Sequence, residues 1–190
     1  MNDENVCKVV LVGDTHVGKT GLFQALQTFD IPDVVYIPTI FDNLAIEGIS
    51  CLHCGTKHNI SLWDTSGSEE YSRLRPLSYP DSHLVLLCFS LDAPSSIDNI
   101  GKWKAEVRKW IPECPCILVG LKSDLTAEEP IPSEKVERVA IKAGVKRYFE
   151  CSNYTGKGLR DLVDFMLHLH FHECFPHSLN YNKKQNCRIS

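Results

Sequence analysis

Residues 6–20 read VCKVVLVGDTHVGKT, an almost unbroken apolar run followed by a glycine-containing loop. The run at 6–12 is typical of a strand that is buried on both faces of a parallel sheet. The loop at 13–20 matches the pattern G-x-x-x-x-G-K-[ST], whose glycines allow a tight backbone with N–H groups that wrap a phosphate chain. The helix predicted to follow adds the positive end of its dipole. The stretch therefore predicts a strand, a phosphate-binding loop and a helix, in that order.

Two side chains of this loop have predicted roles of their own. Lys19 would neutralise the β- and γ-phosphates of a nucleotide, and Thr20 would bind Mg²⁺ through its hydroxyl. A chance match to the pattern is expected in about 1% of chains of this length. The predicted phosphate-binding residues are Gly13, Asp14, Thr15, His16, Val17, Gly18, Lys19, Thr20 and Gly21.

Short apolar runs recur along the rest of the chain and alternate with segments of helical spacing. Further strands are predicted at 60–63, 84–89, 116–121 and 148–151, and helices at 97–110, 136–143 and 159–169. Segments 43–49 and 56–63 predict an antiparallel hairpin, and Ser95 and Ser133 are predicted helix caps. The alternation predicts a three-layer α/β fold, with a six-stranded, mostly parallel sheet, one antiparallel edge hairpin and helices on both faces.

Composition restricts the class of protein. Of the 190 residues, 43% are apolar and 23% are charged, which suits one domain with an ordinary core. The formal net charge of −4 argues against nucleic-acid binding, which needs a basic surface. No apolar run approaches the ~18 residues of a membrane-spanning helix. Residues 1–175 are predicted to form the domain, and 176–190, which lack apolar periodicity, a flexible tail.

Cysteines and histidines have simple predicted roles. The chain has nine cysteines, and residues 1–5 are polar and acidic where a signal peptide would be basic, so a reduced, cytoplasmic compartment is predicted. Some of these side chains have a spacing similar to that of metal ligands. For each such group an exposed polar turn or helix face is the favoured interpretation. The groups are Cys51, Cys54 and His58; His168 and His172; and His170 and Cys174.

The motif Asp64-Thr65-Ser66-Gly67 follows a predicted strand. An Asp at this place can hold Mg²⁺ through water, and the backbone N–H of Gly67 can meet a γ-phosphate. A phosphate loop alone does not separate GTPases from nucleotide kinases or ATPases, and this second motif narrows the choice.

Two further motifs select guanine. Lys122 and Asp124 follow the strand predicted at 116–121. A carboxylate at this place can accept hydrogen bonds from both N1–H and the amino group of guanine. Adenine has neither donor in that arrangement. The Lys122 stem can cover the base, and the backbone at Ser152 and Asn153 could donate to guanine O6.

With these motifs in order, the chain resembles the Ras-like small GTPases, and among them the Rho family, over about residues 6–170. The most specific matches are YIPTIFDN at 36–43, which looks like the Rho effector loop (switch I), and RLRPLSYPD at 73–81, which follows switch II. The resemblance implies a P-loop GTPase fold that binds GTP, GDP and Mg²⁺. It also implies that both switches become ordered only with GTP.

The resemblance assigns further residues and partners. Thr39 would bind Mg²⁺ by its hydroxyl and the γ-phosphate by its N–H, and Tyr36 would also contact the nucleotide. Effector proteins would bind segment 71–77 and the switch I residues Thr39, Ile40, Phe41, Asp42 and Asn43. Exchange factors and GTPase-activating proteins are further implied partners. The protein would act as a monomer on the actin or polarity machinery, by family analogy.

Three predicted catalytic positions, Thr15, Gly67 and Ser68, lie near the γ-phosphate, and two of them depart from the cycling Rho proteins. Ser68 replaces the Gln that orients the attacking water, and its side chain is too short for that task. Thr15 replaces a Gly and would crowd the water or an arginine finger. Together with Ser66, these departures resemble the Rnd branch of Rho proteins, which binds GTP but hydrolyses it poorly. Slow hydrolysis and a mainly GTP-bound switch are therefore predicted.

The guanine-binding segments also depart from the family. Leu121 replaces an Asn or Thr and cannot make the hydrogen bond that ties the base to the phosphate loop, at a cost of about 1 kcal/mol. Asn153 replaces an Ala. Either Phe29 or Ile31 would shield the guanine, and Ile31 would predict fast nucleotide exchange. The helical insert of Rho proteins is absent, since residues 125–132 predict only a loop.

The last four residues, CRIS at 187–190, fit the C-a-a-X pattern of a farnesylated protein. The resemblance favours prenylation of Cys187 and peripheral attachment to the cytoplasmic face of plasma or internal membranes. One lipid anchors only marginally, and Lys183 and Lys184 give this tail little basic charge.

Three other functions compete with a slow Rho-like switch. A normally cycling Rho GTPase would need a substitute for the missing Gln. A phosphate-loop kinase would need a lid and an acceptor-binding region, for which there is no long basic insertion. A pseudo-GTPase scaffold would bind no nucleotide.

Overall fold

Apart from the consecutive strands Phe41–Ser50 and Lys57–Thr65, strands alternate with helices along the chain. The computed structural model describes residues 6–28, 41–50, 55–125 and 130–171. The strands are β1 (Val6–Gly13), β2 (Phe41–Ser50), β3 (Lys57–Thr65), β4 (Leu84–Ser90), β5 (Cys116–Leu121) and β6 (Tyr148–Glu150). The α-helices are α1 (Lys19–Thr28), α2 (Ile100–Trp110), α3 (Ser133–Ala143) and α4 (Leu159–Phe171). Short 3-10 helices cover Glu69–Tyr71, Arg75–Ser78 and Pro94–Asn99.

The six strands form one sheet in the order β2-β3-β1-β4-β5-β6. Strands β2 and β3 pair antiparallel at one edge, and the other pairings are parallel. The predicted sheet is therefore confirmed. The register places Leu11 beside Asp64 and Gly13 beside Cys88. The phosphate loop and the ends of β3 and β4 thus meet at the carboxyl edge of the sheet, where α/β proteins bind their ligands.

Successive residues of β1 enter two separate cores, one on each face of the sheet. Val9 and Leu11 are fully buried in the core that includes α1 and α4, whereas Val10 and Val12 are fully buried in the core that includes α2 and α3. Burial of one aliphatic side chain contributes about 1.5–3 kcal/mol. Because both faces are covered, every position of this part of the strand has to be apolar.

The starts of two helices differ from prediction. Ser95 lies inside the 3-10 helix Pro94–Asn99, and α2 begins only after it. Within the same 3-10 helix, the Ser96 hydroxyl donates to the carbonyl oxygen of Ala93 at 2.6 Å. Ser133 is the first residue of α3 and not its cap, because the cap position falls on Pro132, which has no side-chain hydrogen bond to offer.

The connection between β5 and α3 contains no helix in its described residues, 122–125 and 130–132. Helix α2 ends with Trp110, which is 58% exposed, so the apolar stripe predicted to reach this residue stops at the buried Val107. No helix in the described part of the chain is long and apolar enough to cross a membrane.

Candidate nucleotide-binding site

The phosphate loop connects β1 to α1 through backbone conformations that favour glycine. Gly13 has φ +155°, and a Cβ there would lie 2.2 Å from the Cys88 carbonyl oxygen of β4. Gly18 has φ +106°. His16, between them, has φ 64° without being a glycine and is exposed. The loop is thus a strained, close turn packed against β4, as a backbone cradle for phosphate requires.

Lys19, the first residue of α1, is folded back onto this loop. Its ammonium donates to the carbonyl oxygens of Gly13 at 2.9 Å and Asp14 at 2.7 Å. The residue is only 6% exposed. Burial lowers its pKa, while the nearby carboxylate of Asp64 acts in the opposite direction. A buried cation held by neutral carbonyls is a favourable partner for a phosphate anion.

Thr20 and Asp64 bring two oxygen donors together beside the lysine. The Thr20 hydroxyl donates to Asp64 Oδ2 at 2.6 Å, and Asp64 is fully buried at the end of β3. Hydroxyl and carboxylate oxygens are the ligands that Mg²⁺ prefers. The donor set therefore fits the predicted metal site. Its third predicted member, Thr39, lies outside the described residues, as does Tyr36.

Gly67 lies directly against the phosphate loop. A Cβ at this position would be 2.4 Å from both the Asp14 carbonyl carbon and the Thr15 nitrogen. Any side chain here would push the segment away from the loop. The structure thus brings together Gly67 and Thr15, two of the three predicted catalytic positions.

The predicted guanine-binding residues meet at the ends of β5 and β6. The Ser152 hydroxyl donates a short hydrogen bond to the Asp124 carboxylate. Ser152 is fully buried, whereas Asp124 is exposed. The buried hydroxyl therefore orients a carboxylate that remains accessible to solvent or a ligand. Lys122 has φ 60°, and its ammonium pairs with Asp92 at 3.1 Å. Sequence reasoning missed Asp92, for which no motif gives a signal.

A cavity of about 390 Å³ lies beside the phosphate loop. It is enclosed by the loop, the segment that follows β4 and the start of α2. Thr15, Lys122 and Trp103 are among its lining residues. Space for a ligand thus adjoins the carboxyl edge of the sheet.

Several predicted residues lie partly or wholly outside the described part. Ile40 and Cys187 lie outside it, the backbone of Phe41 and Asp42 belongs to β2, and Asn43 is exposed on β2.

The histidines with metal-like spacing have aromatic neighbours. His58 stacks on Phe171 at a centroid distance of 4.1 Å, and the ring of His170 lies 4.2 Å from that of His83. His168 lies 6.4 Å from the ring of Phe165. The described residues contain no group of three or more histidine, cysteine and acidic side chains that could hold a metal ion. The remaining members of these groups, Cys51, Cys54, His172 and Cys174, lie outside them.

The segment between β3 and β4 is anchored to α2 by a charged cluster that sequence reasoning missed. Arg75 donates to both carboxylate oxygens of Glu106, at 2.7 and 3.0 Å, and Tyr79 donates to the same carboxylate at 2.6 Å. Arg75 also donates to the carbonyls of Ser66 at 2.5 Å and Ser68 at 3.1 Å. One buried guanidinium therefore holds both the backbone before the 3-10 helix Glu69–Tyr71 and the side of α2.

The same cluster reaches the phosphate loop through Asp14. The Arg75 guanidinium lies 4.6 Å from the ring centroid of Trp103. The Trp103 indole N–H and the Asn99 amide each donate to the Asp14 carboxylate at 2.7 Å. Contacts through Trp103 and Asp14 therefore connect Arg75 to the phosphate loop.

The Ser68 hydroxyl has a hydrogen-bond partner within the segment that follows β3. It accepts a hydrogen bond from the Glu70 N–H at 3.3 Å and caps the 3-10 helix Glu69–Tyr71. The Ser68 N–H in turn donates to the Ser66 hydroxyl at 3.2 Å. Besides being short, this side chain therefore has a structural role.

Replacing Glu106 by Gln should lower the free energy of unfolding by about 2–3 kcal/mol. The Arg75 side chain is 1% exposed, and Gln cannot balance its charge. Urea unfolding at neutral pH would measure the loss. Glu137→Gln, at an exposed position of α3, is the matched control and should change little. An equal effect in both variants would contradict a specific role for the Arg75–Glu106 pair.

The difference between the wild type and Glu106→Gln should shrink in acid. Burial raises the pKa of Glu106, but hydrogen bonds from Arg75 and Tyr79 and the charge of Arg75 outweigh it and hold the pKa below its ordinary value of 4.5. The contribution of the carboxylate to stability is therefore fully present above the unfolded pKa and is lost as the pH falls through the folded pKa.

Comparison with known proteins agrees with this geometry. The Ras family model matches residues 8–170. The GTP-binding protein RHO1 of Candida albicans is 41% identical over 170 residues, covering 83% of this chain and 84% of that protein. The GTP-binding protein rho5 of Schizosaccharomyces pombe is 38% identical over 192 residues, covering 94% of each. The GTP-binding protein RHO1 of Saccharomyces cerevisiae is 41% identical over 170 residues, covering 83% and 79%.

These matches and the site together place the chain in a family. It belongs to the Ras family of small GTPases. Within that family it is a Rho-like GTPase, since the relatives just described carry Rho names.

Proposed function

We propose that this Rho-like GTPase binds GTP and GDP with Mg²⁺ and selects guanine over adenine. The phosphates would be held by Lys19 and the N–H groups of the phosphate loop. Thr20 and Thr39 would bind Mg²⁺ directly and Asp64 through water. The metal would neutralise charge on the phosphates when bound. The base would be held by Asp124.

The observation that carries this proposal is the convergence of four distant groups on one edge of the sheet. Lys19 and Thr20 start α1, Asp64 ends β3, and Asp124 follows β5 with Ser152 behind it. A phosphate site and a carboxylate for the base at one sheet edge are the requirements of a guanine nucleotide. A kinase would need, in addition, residues for a phosphate acceptor.

We further propose that hydrolysis is slow, so that the protein is mainly GTP-bound. Ser68 replaces the water-orienting Gln, and its hydroxyl is bound to the Glu70 N–H. Thr15 adds a side chain to the phosphate loop, at a position whose backbone nitrogen lies close to Gly67. A normally cycling GTPase would need another group to orient the water.

The GTP-bound form would recruit effector proteins through the switches. Leu74 and Leu77, in the predicted effector-binding segment 71–77, are 49% and 71% exposed, which suits an apolar contact. The switch I part of this surface would comprise Thr39, Ile40, Phe41, Asp42 and Asn43. Exchange factors and GTPase-activating proteins would regulate the protein.

Membrane attachment would come from the tail at 176–190, which follows the domain at 1–175. Prenylation of Cys187 would place a cytoplasmic, monomeric protein at the cytoplasmic face of plasma or internal membranes. Signalling to the actin or polarity machinery is proposed by analogy with the Rho family alone.

Asp124→Ala should lower the affinity for Mg²⁺–GTP by about 100-fold, because two hydrogen bonds to a charged acceptor are lost. The affinity for ATP should stay low. Competition against a fluorescent GDP would measure both, with Asp161→Ala on α4 as the exposed control. Extraction of the purified wild type should release GTP or GDP. Release of adenine nucleotide, or of no nucleotide together with no GTP binding, would contradict the proposal.

A further inference from the structure

Two side chains that depart from the family pattern meet at the phosphate loop. Leu121 ends β5 fully buried, with its Cδ1 and Cβ 3.6 and 3.7 Å from the position of a Cβ on Gly18. It touches the loop with carbon atoms only. The Asn or Thr that the resemblance to the Rho family leads us to expect here would put a hydrogen-bonding group at the same contact, and Leu121 cannot.

Asn153 makes a hydrogen bond at the same place from the other side. Its Nδ2 donates to the Gly18 carbonyl oxygen at 2.9 Å, across 135 residues of sequence. The same carbonyl accepts the Leu22 N–H at 2.9 Å, in the first turn of α1. The side chain therefore joins the segment after β6 to the junction of the phosphate loop and its helix.

The fit around this amide is close. A Cβ on Gly21 would lie 2.9 Å from Asn153 Nδ2, and one on Gly18 would lie 3.4 Å from it. Asn153 Oδ1 is buried and has no hydrogen-bond partner among the described residues. The nitrogen of the amide is thus hydrogen-bonded while its buried oxygen is not, which is an unfavourable arrangement for stability alone.

Asn153 is also adjacent to the residue that holds the guanine carboxylate. Ser152 donates to Asp124, and its oxygen accepts the Thr155 N–H at 3.0 Å. A short chain of contacts therefore runs from the Gly18 carbonyl through Asn153 and Ser152 to Asp124. Its two ends are the places where phosphate and base would be bound.

We propose that Asn153 is a positioning residue that replaces the missing tie at Leu121 and fixes the guanine-binding segment relative to the phosphate loop. The inference rests on the proposed guanine-nucleotide function and deepens it. Because base and phosphates are parts of one ligand, fixing the distance between their sites slows release of the whole nucleotide.

The test is the dissociation rate of fluorescent GDP from the full chain in the presence of Mg²⁺. Asn153→Ala should speed release about 5- to 10-fold, as expected for the loss of one hydrogen bond. Asn153→Asp, which has the same size, should speed it at least as much, because a carboxylate repels the Gly18 carbonyl. Leu121→Asn combined with Asn153→Ala should bring the rate back to within about twofold of the wild type.

The double variant separates positioning from general structural support. Leu121→Asn is expected to rescue Asn153→Ala only if the role of Asn153 is to join the guanine-binding segment to the phosphate loop. Unchanged release in Asn153→Ala, or no rescue in the double variant, would overturn the inference while leaving guanine binding intact. If the wild type binds no guanine nucleotide, the proposed function and this inference fall together.

Discussion

Lys19→Met should lower the affinity for Mg²⁺–GTP by about 1000-fold, because a desolvated cation facing phosphate is lost. In the wild type Lys19 is 6% exposed, and its ammonium donates to two loop carbonyls. Methionine has a similar volume but no charge and no donor. The polar N–H groups of the loop would remain, yet they would face the phosphates without a neutralising charge.

Titration calorimetry on nucleotide-free protein would measure this loss. Lys109→Met, at an exposed position near the end of α2, is the matched control and should bind GTP like the wild type. Thermal unfolding without nucleotide should show no loss of stability in Lys19→Met, because burial of an ammonium is itself costly. GTP affinity within tenfold of the wild type would show that Lys19 does not face the phosphates.

The fold was predictable because local patterns carried it. In β1 the successive residues Val9 and Val10 lie in opposite cores. Because both faces of the strand are buried, its apolar run is continuous and can be recognised in the sequence. The antiparallel pair β2 and β3 follows from two strand-like segments close in sequence. Helix starts were less predictable, since Ser95 suggests a cap but lies inside a 3-10 helix, whose Ser96 hydroxyl bonds the backbone at Ser90 and Ala93.

The site was predictable where short motifs encode it. Lys19 and Thr20 start the helix after β1, and Asp64 lies near the end of β3, and the parallel pairing of the two strands brings them to one edge of the sheet. The links between Arg75 and Glu106 and between Asp14 and Trp103 cross 31 and 89 residues and depend on how α2 packs. The Asn153–Gly18 bond crosses 135 residues, and nothing in the local sequence indicates its partner.

The hydrolytic defect proposed for this protein depends on two neighbouring positions. Ser68 is bound to the Glu70 N–H, and its backbone carbonyl accepts a hydrogen bond from Arg75. Thr15 lies in the phosphate loop, with its nitrogen close to Gly67. Because Arg75 fixes the backbone at Ser68, a longer side chain introduced at that position would extend from a fixed backbone.

Ser68→Gln combined with Thr15→Gly should restore stimulation by an arginine-finger domain to about 1000-fold or more. The wild type should be stimulated less than about tenfold, because the arginine acts partly with the Gln that orients the attacking water. Single-turnover hydrolysis of protein-bound GTP, with and without a Rho-type GTPase-activating domain, would measure both rates. Replacing Thr15 by Gly would also remove the side chain expected to crowd an incoming arginine.

Ser68→Asn with Thr15→Gly is the matched control for this gain. Its amide is one methylene shorter, so it should recover far less stimulation than Gln if reach towards the water is what matters. Equal recovery by Asn and Gln would show that removal of the Ser68 cap or of the Thr15 side chain is responsible. Wild-type hydrolysis at the rate of the Ser68→Gln, Thr15→Gly variant would mean that another group already orients the water, and the protein would then cycle normally between GTP and GDP.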